Sequence, residues 1–301
     1  MRNIPPALRA WLAENFYIMP LPEDVGESGA GPHKLLVQLH DGDSVEAVII
    51  PSKSFSGESR STVCISCQVG CRFNCAFCAS GKAGLVRDLD AGEMVFQVVA
   101  AAAILGKRPS NVVFMGIGEP FDNYDAVIKA ARIINHSDGL RIGARKITVS
   151  TSGIIPGIER FANEPEQFEL SVSLHAPNTL LRSELMPINN RYPLPELMDA
   201  CRMYTRLTNR IITFEYTLID GVNDLDEHAF QLIKLLRKFP CRVNLIPLSP
   251  VAEFDGKPSQ REQEFMEIMS NAHINTTLRN SQGATLKAAC GQLRFAKRSH
   301  E

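Results

Sequence analysis

The pattern of apolar and polar positions changes character near Thr62. Before that point, Lys34–His40 and Val45–Ile50 are rich in β-forming residues and flank an Asp-Gly-Asp turn, which predicts a β-hairpin. A short helix is predicted over Pro6–Glu14, and the polar stretch Ser52–Ser61 is interpreted as a linker.

After the linker, apolar strand-like runs alternate with amphipathic runs of helical period. The predicted strands are Asn111–Met115, Lys146–Ser150, Phe168–Leu174, Ile211–Leu218, Arg242–Ile246 and Ile274–Leu278. The predicted helices are Ala91–Leu105, Tyr124–Asn135, Pro193–Leu207, Asp226–Lys238 and Ser259–Asn271. Such alternation is typical of an α/β fold with a parallel sheet, either barrel-like or doubly wound. The unit count is about six, fewer than the eight of a full barrel.

The composition excludes a polybasic protein and a membrane-spanning one. The 301 residues are 45% hydrophobic and 22% charged, and 32 basic against 33 acidic residues give a net charge of −1. The chain is therefore not polybasic, and an RNA partner would need local basic patches such as the stretch 279–298. The apolar run Val98–Leu105 is too short to span a bilayer. We expect no membrane association and a cytoplasmic location, because the first residues have no apolar core of signal-peptide type.

The cysteines carry the first chemical signal. Five of the eight lie within fifteen residues, from Cys64 to Cys78, a clustering that favours metal or redox chemistry. Cys71, Cys75 and Cys78 have the spacing C-x3-C-x2-C, and three thiolates on one loop can hold three irons of a cubane cluster while the fourth iron stays open. A zinc site, with Cys64 or Cys67 as the fourth ligand, remains an alternative on spacing alone.

The segments around this loop resemble a known family. The cysteine motif followed by a helix and by a strand ending in Met115-Gly-Ile-Gly118-Glu119-Pro120 resembles the radical S-adenosylmethionine (SAM) superfamily. Further segments resemble the radical SAM RNA adenine methyltransferases, the RlmN/Cfr family, whose members act on C2 or C8 of adenine in 23S rRNA and tRNA. These segments are Val63-Cys64-Ile-Ser-Cys-Gln68-Val-Gly-Cys71, Ser150-Thr-Ser-Gly153, Ser173-Leu-His175-Ala-Pro-Asn178, Asn244-Leu-Ile-Pro247 and Ala288-Ala-Cys290-Gly-Gln-Leu293.

The resemblance implies a fold and two cofactors. The fold is a partial (β/α)6 radical SAM barrel over residues 62–301, with a short accessory region and its β-hairpin over residues 1–61. The cofactors are one [4Fe-4S] cluster and SAM. The implied cluster ligands are Cys71, Cys75 and Cys78, and the implied SAM contacts are Gly118, Glu119, Ser150, Ser173, Leu174, His175 and Ser249. Ser249 stands where relatives commonly carry asparagine.

The resemblance also implies a mechanism. Ring carbons C2 and C8 of adenine are not nucleophilic, so radical chemistry supplied by the cofactor is required. In such enzymes one SAM methylates a cysteine, which Cys290 matches, and a second SAM gives the radical that activates this methyl group. Cys64 matches the resolving thiol that forms a transient disulfide with Cys290. Glu46 matches the residue that accepts the ring proton, although the alternation of Val45-Glu46-Ala47 also fits a solvent-facing strand position.

The implied partners are RNA and an external electron donor such as flavodoxin or ferredoxin, and we expect a monomer. Besides Ser249, further departures accompany the match, including Gly283-Ala-Thr285-Leu where relatives usually have Gly-x-Asp-Ile. Cys67 replaces a small hydroxyl residue, and only about 33 residues precede the hairpin, where relatives have a fuller helical domain. The alternative functions are the same methyl-cysteine chemistry on another RNA or a small molecule, and a zinc-stabilised binding module.

Overall fold

A computed structural model describes residues 4–17, 19–24, 31–53, 57, 59–237, 239–279 and 291–294. Over these ranges the chain forms twelve strands and eight helices. The strands are β1 Glu23–Asp24, β2 His33–Gln38, β3 Ser44–Lys53, β4 Ser59–Cys64, β5 Gln68–Gly70, β6 Leu85–Asp88, β7 Asn111–Phe114, β8 Ile147–Thr151, β9 Glu169–Ser173, β10 Ile212–Leu218, β11 Cys241–Pro247 and β12 Thr276–Leu278. The helices are α1 Pro6–Asn15, α2 Ala91–Leu105, α3 Tyr124–Asn135, α4 Ile155–Phe161, α5 Thr179–Leu185, α6 Leu194–Thr208, α7 Asp226–Leu236 and α8 Glu262–Asn271.

One sheet of ten strands organises the described part of the chain, in the order β1-β2-β3-β4-β7-β8-β9-β10-β11-β12. From β4 to β12 all neighbours are parallel, while β1 to β4 are joined by antiparallel pairing. The strand order does not return on itself, so the sheet is an open barrel. This architecture confirms the α/β class and the partial (β/α)6 barrel expected from the resemblance.

The first strand of the barrel was mispredicted. Six strand–helix units are present, but the first is β4 with α2, and its strand Ser59–Cys64 overlaps the stretch interpreted as a linker. Ser59 and Arg60 are exposed, while Ser61, Val63 and Cys64 are buried, so polar composition hid a strand with an exposed beginning. The prediction reached six units because it counted β12, which has no helix after it in the described part of the chain.

The N-terminal hairpin is confirmed and is continuous with the barrel. Strand β2 pairs antiparallel with β3 through Leu36 and Glu46, and β3 pairs antiparallel with β4 through Val48 and Cys64. Directly opposed residues in such pairs point to the same face of a sheet. Glu46 and Cys64 therefore share one face, which also carries the part-exposed Lys34.

Local sequence explains where the long helix of the first unit begins and ends. Asp90 caps α2, because its Oδ1 accepts the Glu93 N–H at 2.8 Å while Glu93 Oε2 accepts the Asp90 N–H at 3.0 Å. Gly106 ends the helix at φ 63°, a conformation that glycine adopts without strain. Within the described ranges, no helix has the length and apolar character needed to cross a bilayer.

Candidate active site

A cavity of about 1050 Å³, including its mouth, opens at the carboxyl ends of the parallel strands. Ligands bind at this edge in α/β sheets and barrels. Nine residues predicted for the site line it, from four separate strands and from the cysteine loop: Cys71, Cys75, Cys78, Gly118, Glu119, Ser150, Ser173, His175 and Ser249. The fold thus brings together residues that lie up to 178 positions apart in the sequence (249 minus 71).

The loop between β5 and β6 carries the three thiols. It is held from both sides, because the Cys71 N–H donates to Gly84 O at 3.1 Å and the Ala76 N–H donates to Leu185 O at 2.9 Å. Asn74 takes a left-handed backbone with φ 44°, and a Cβ at Gly81 would come within 2.7 Å of its Cα. A side chain at position 81 would therefore displace the loop.

The environment of the thiols fits an iron–sulfur cluster. Burial raises the pKa of Cys71 to about 12 and the pKa of Cys75 further, with the charges of neighbouring thiolates adding to the effect. Buried thiols of this kind ionise when a metal takes the place of the proton. Among the described side chains, no group of three or more His, Cys, Asp or Glu is arranged around one ion position. Cysteines that bind separate irons of a cluster do not need that convergence, whereas a zinc site does.

Gly118 and Glu119 form the floor of the cavity. Gly118 has φ 106°, and a Cβ there would lie 2.6 Å from Gln68 Cβ. The buried Glu119 carboxylate accepts the Ser152 N–H at 2.6 Å and the Phe121 N–H at 3.0 Å. Burial raises the pKa of Glu119, and these donated hydrogen bonds oppose that shift. The carboxylate is therefore fixed in position at the lining of the cavity.

His175 is buried and neutral. Burial lowers its pKa to about 3, and the nearby Arg182 cation contributes to the shift. Nδ1 accepts the Thr217 N–H at 2.9 Å, so the ring proton is on Nε2. The ring packs edge-on against Phe77 with 4.8 Å between the ring centroids. This contact joins the end of β9 to the cysteine loop.

One predicted SAM contact, Leu174, differs in placement from the others. Ser150 at the end of β8 and Ser173 at the end of β9 line the cavity, as does Ser249 after β11. Leu174 is fully buried and does not line it; its N–H donates to Glu215 O at 3.0 Å. Leu174 therefore packs in the core and fixes the backbone between Ser173 and His175.

Glu46 and Cys64 lie beside the cavity and are absent from its lining. Glu46 is 9% exposed and forms an ion pair with Lys34, and its Oε2 accepts the Arg294 N–H at 2.9 Å. Its burial and these two contacts show that the alternative, an ordinary solvent-facing strand position for Glu46, is wrong. Cys64 is buried at the end of β4 on the same face of the sheet.

The segment after Cys290 docks at the cavity mouth. Gly291 and Leu293 line the cavity; Gly291 O accepts the Ala79 N–H at 2.7 Å, and Leu293 O accepts the Ser80 hydroxyl at 2.8 Å. Gly291 has φ 81°, and a Cβ there would lie 2.9 Å from Phe77 O. Cys290 itself, and most of the basic stretch 279–298, lie outside the described residues.

The prediction missed an acidic cavity residue. Glu215 in β10 is 4% exposed and lines the cavity; its Oε1 contacts Ser171 Oγ at 2.9 Å and Asn244 Nδ2 at 3.0 Å. Arg279 Nη1 lies 3.6 Å from Oε2. The sequence does contain a signal for this residue, because Glu215 lies within a mostly apolar strand. A carboxylate is costly to bury without partners, so its presence there indicates a specific role.

Comparison with known proteins gives a consistent answer. Residues 65–233 match the radical SAM superfamily. The chain is 50% identical over its whole length to a probable dual-specificity RNA methyltransferase RlmN of Geobacillus thermodenitrificans, covering 83% of that protein. It is 51% identical to the protein of the same name from Caldanaerobacter subterraneus subsp. tengcongensis, over 98% of this chain and 85% of the relative.

Solved structures agree. The crystal structure of a radical SAM methyltransferase from Sphaerobacter thermophilus matches with a TM-score of 0.91 and 47% identity, over 97% of this chain and 86% of that one. SuiB of Streptococcus suis bound to S-adenosylmethionine matches at 14% identity with a TM-score of 0.55, over 73% of this chain and 50% of that one, and shows likeness of fold alone. The chain therefore belongs to the radical SAM superfamily and, within it, to the RlmN family of RNA methyltransferases.

Proposed function

We propose that this protein methylates a ring carbon of an adenine in RNA, with C2 favoured over C8, through an S-methylcysteine at Cys290. The observation that carries the proposal is the docking of residues 291–294. These residues directly follow Cys290 in the chain. Two of them, Gly291 and Leu293, line the same cavity as the three clustered thiols and most of the predicted SAM residues.

The proposed cofactor site uses the described residues in two groups. Cys71, Cys75 and Cys78 hold the irons, and Glu119 and Ser150 contact SAM. When bound, the [4Fe-4S] cluster supplies the electron that cleaves SAM to a 5′-deoxyadenosyl radical. The neutral His175 holds its Nε2 proton as a hydrogen-bond donor at the cavity wall, so it offers no base that would compete for a proton.

Cys290 acts first as a nucleophile in this proposal. Its thiolate attacks the methyl carbon of one SAM, S-adenosylhomocysteine leaves, and the sulfur then carries the carbon that will join the base. Transfer of one hydrogen atom from this S-methyl group to the 5′-deoxyadenosyl radical would give 5′-deoxyadenosine and a carbon radical, which adds to the adenine ring. The contacts of Gly291 with the cysteine loop support this role, because Gly291 directly follows Cys290 in the chain.

Glu46 and Cys64 complete the proposed cycle. Glu46 accepts the proton of the reacting ring carbon, which requires a carboxylate held within hydrogen-bond reach, and the unpaired electron of the adduct would pass to the proposed cluster, so that the ring becomes aromatic again. The Cys64 thiolate attacks the Cys290 sulfur; the electrons of the carbon–sulfur bond stay with the carbon, which takes up a proton and becomes the methyl group. The Arg294 N–H contact to Glu46 supports this arrangement, because it joins Glu46 to the segment that follows Cys290.

The proposed partners follow from this chemistry. The substrate is rRNA or tRNA, the disulfide and the cluster take electrons from a donor such as flavodoxin or ferredoxin, and the protein works as a cytoplasmic monomer. We also propose a division at residue 61, with the hairpin region as an accessory to the core at residues 62–301. The superfamily match beginning at residue 65 supports that division.

The test is incubation of the anaerobically reconstituted enzyme with SAM, a reductant and unmodified 23S rRNA or tRNA, followed by nucleoside mass spectrometry. The expected product is 2-methyladenosine. Formation of 8-methyladenosine would change the site of attack, and methylation of neither RNA would refute the proposed substrate. A preparation that binds zinc and no iron or sulfide would refute the enzymatic proposal as a whole.

A further inference from the structure

Arg182 is a fully buried cation in the centre of the fold. It lies on α5, its side chain is 0% exposed, and it does not line the cavity. Nη2 donates to Ser152 O at 2.6 Å and to Ser173 O at 3.1 Å, and Nη1 donates to Asn189 Oδ1 at 3.1 Å. The Nε atom has no hydrogen-bond partner within the described part of the chain. All of its hydrogen-bond acceptors are neutral.

No carboxylate in the described ranges forms an ion pair with this guanidinium. The ionisable groups that interact with it electrostatically are Cys75, His175 and Cys201. Burial keeps His175 uncharged, and burial also raises the pKa of Cys201 to about 12. Neither group therefore carries a negative charge that would balance Arg182 near neutral pH. Burying a charge without a counter-charge costs free energy, so we expect Arg182 to have an anionic partner.

The cysteine loop is hydrogen-bonded to the helix that carries Arg182. The last residue of α5, Leu185, accepts the Ala76 N–H at 2.9 Å, so the helix that carries Arg182 is bonded to the residue after Cys75. Ser152 and Ser173, whose carbonyls hold the guanidinium, both line the cavity. Arg182 therefore lies directly behind the wall shared by the thiols and the SAM residues.

We propose that Arg182 is a positioning residue whose charge balances the thiolate-bound cluster and thereby raises its reduction potential. This inference rests on the proposed cluster site. An iron–sulfur cubane bound by three thiolates is anionic, and reduction makes it more negative by one charge. Net charge and the surroundings of the sulfurs set the potentials of such clusters. A fixed cation in a low-dielectric interior favours the reduced form of a nearby cluster, because a low dielectric constant screens the charge of the cation only weakly.

A purely structural role would give a different result. The guanidinium also ties the ends of β8 and β9 together through Ser152 and Ser173. Loss of that tie alone would lower the stability or the affinity for SAM and leave the cluster potential where it was. The reduction potential in the absence of SAM and RNA separates the two roles.

The experiment compares Arg182→Met, Arg182→Lys and the wild type after anaerobic reconstitution, with redox titration of the cluster monitored by electron paramagnetic resonance. We expect Arg182→Met to lower the ratio of reduced to oxidised cluster at fixed potential at least tenfold, which is about 59 mV for a one-electron couple. Arg182→Lys is expected to restore at least half of that shift. The matched control is Arg202→Met, an exposed arginine paired with Asp199 on α6, which should leave the potential unchanged.

A second variant covers the case in which Arg182→Met does not fold. Asn189→Asp places a carboxylate oxygen at the atom that already accepts the Nη1 hydrogen, 3.1 Å away, and keeps the Arg182 side chain. It removes the hydrogen bond that Asn189 Nδ2 donates to Thr179 O, so iron and sulfide content is measured alongside the potential. Its negative charge should lower the potential in the same direction. Wild-type potentials in Asn189→Asp, or in an Arg182→Met protein with full iron and sulfide content, would overturn the inference. A wild-type protein that loads no cluster would overturn the proposed function and this inference together.

Discussion

Gly291→Ala tests the docking of the C-terminal segment without removing any functional group. The position has φ 81°, and the added Cβ would lie 2.9 Å from Phe77 O, a backbone atom of the cysteine loop. The left-handed conformation alone costs a non-glycine residue about 1–2 kcal/mol. Such a loss lowers the equilibrium constant for docking roughly 5- to 30-fold. The contact with Phe77 O adds to this cost.

The assay is the rate of RNA methylation at saturating SAM and RNA, together with the iron content and the affinity for SAM. We expect the rate to fall at least about fivefold while iron content and SAM affinity are retained, because Glu119 and Ser150 keep their positions. The matched control is Gly106→Ala, which has φ 63° and open space around the new Cβ. It should lower the unfolding free energy by about 1–2 kcal/mol without changing the rate. A wild-type rate for Gly291→Ala would refute the view that this segment positions the chemistry.

Three further predictions concern individual side chains. Cys64→Ala should trap a covalent enzyme–RNA adduct, seen as a band shift on a denaturing gel, because the resolving attack is lost; normal turnover would contradict the two-cysteine assignment. Glu46→Gln should abolish turnover, whereas Lys34→Met should keep measurable activity, because only the ion pair is lost; equal loss in both variants would argue that Glu46 acts through structure. Between pH 6.5 and about 3, His175 is protonated in the unfolded state but stays neutral in the folded state, because burial lowers its pKa. This residue therefore makes the unfolding free energy fall as the pH falls. His175→Gln should flatten that dependence by up to about 1.4 kcal/mol per pH unit, measured by urea unfolding, and an unchanged slope would show that His175 is not the cause.

Periodicity predicted most of the barrel, because its longer helices have one apolar face and its strands contain buried β-forming residues. The observed bounds of α2 and α3 agree with the prediction at both ends. The strand at Ser59–Cys64 was missed because its exposed first residues are polar. The helices α4 and α5 were missed because seven residues are too few to show helical period.

The site divides in a similar way. Contiguous motifs identified the three thiols and most of the cavity residues, because each motif fixes a local backbone shape at a strand end. Arg182 and Glu215 were missed because their importance comes from what the fold places around them. A single arginine in a short helix has no sequence signature that distinguishes a buried cation from a surface one. Residues 291–294 were linked to the site by the resemblance, and their contacts with Ala79, Ser80 and Glu46 are visible only in three dimensions.

The central claim is that the methyl group travels on the sulfur of Cys290. The most direct measurement is mass spectrometry of the tryptic peptide that contains this residue, after anaerobic incubation of the reconstituted protein with SAM and reductant but without RNA. The account predicts a peptide heavier by one CH2 group, with the addition located on the cysteine and lost when RNA is supplied. An unmodified Cys290 in a protein that nevertheless methylates RNA would contradict the account.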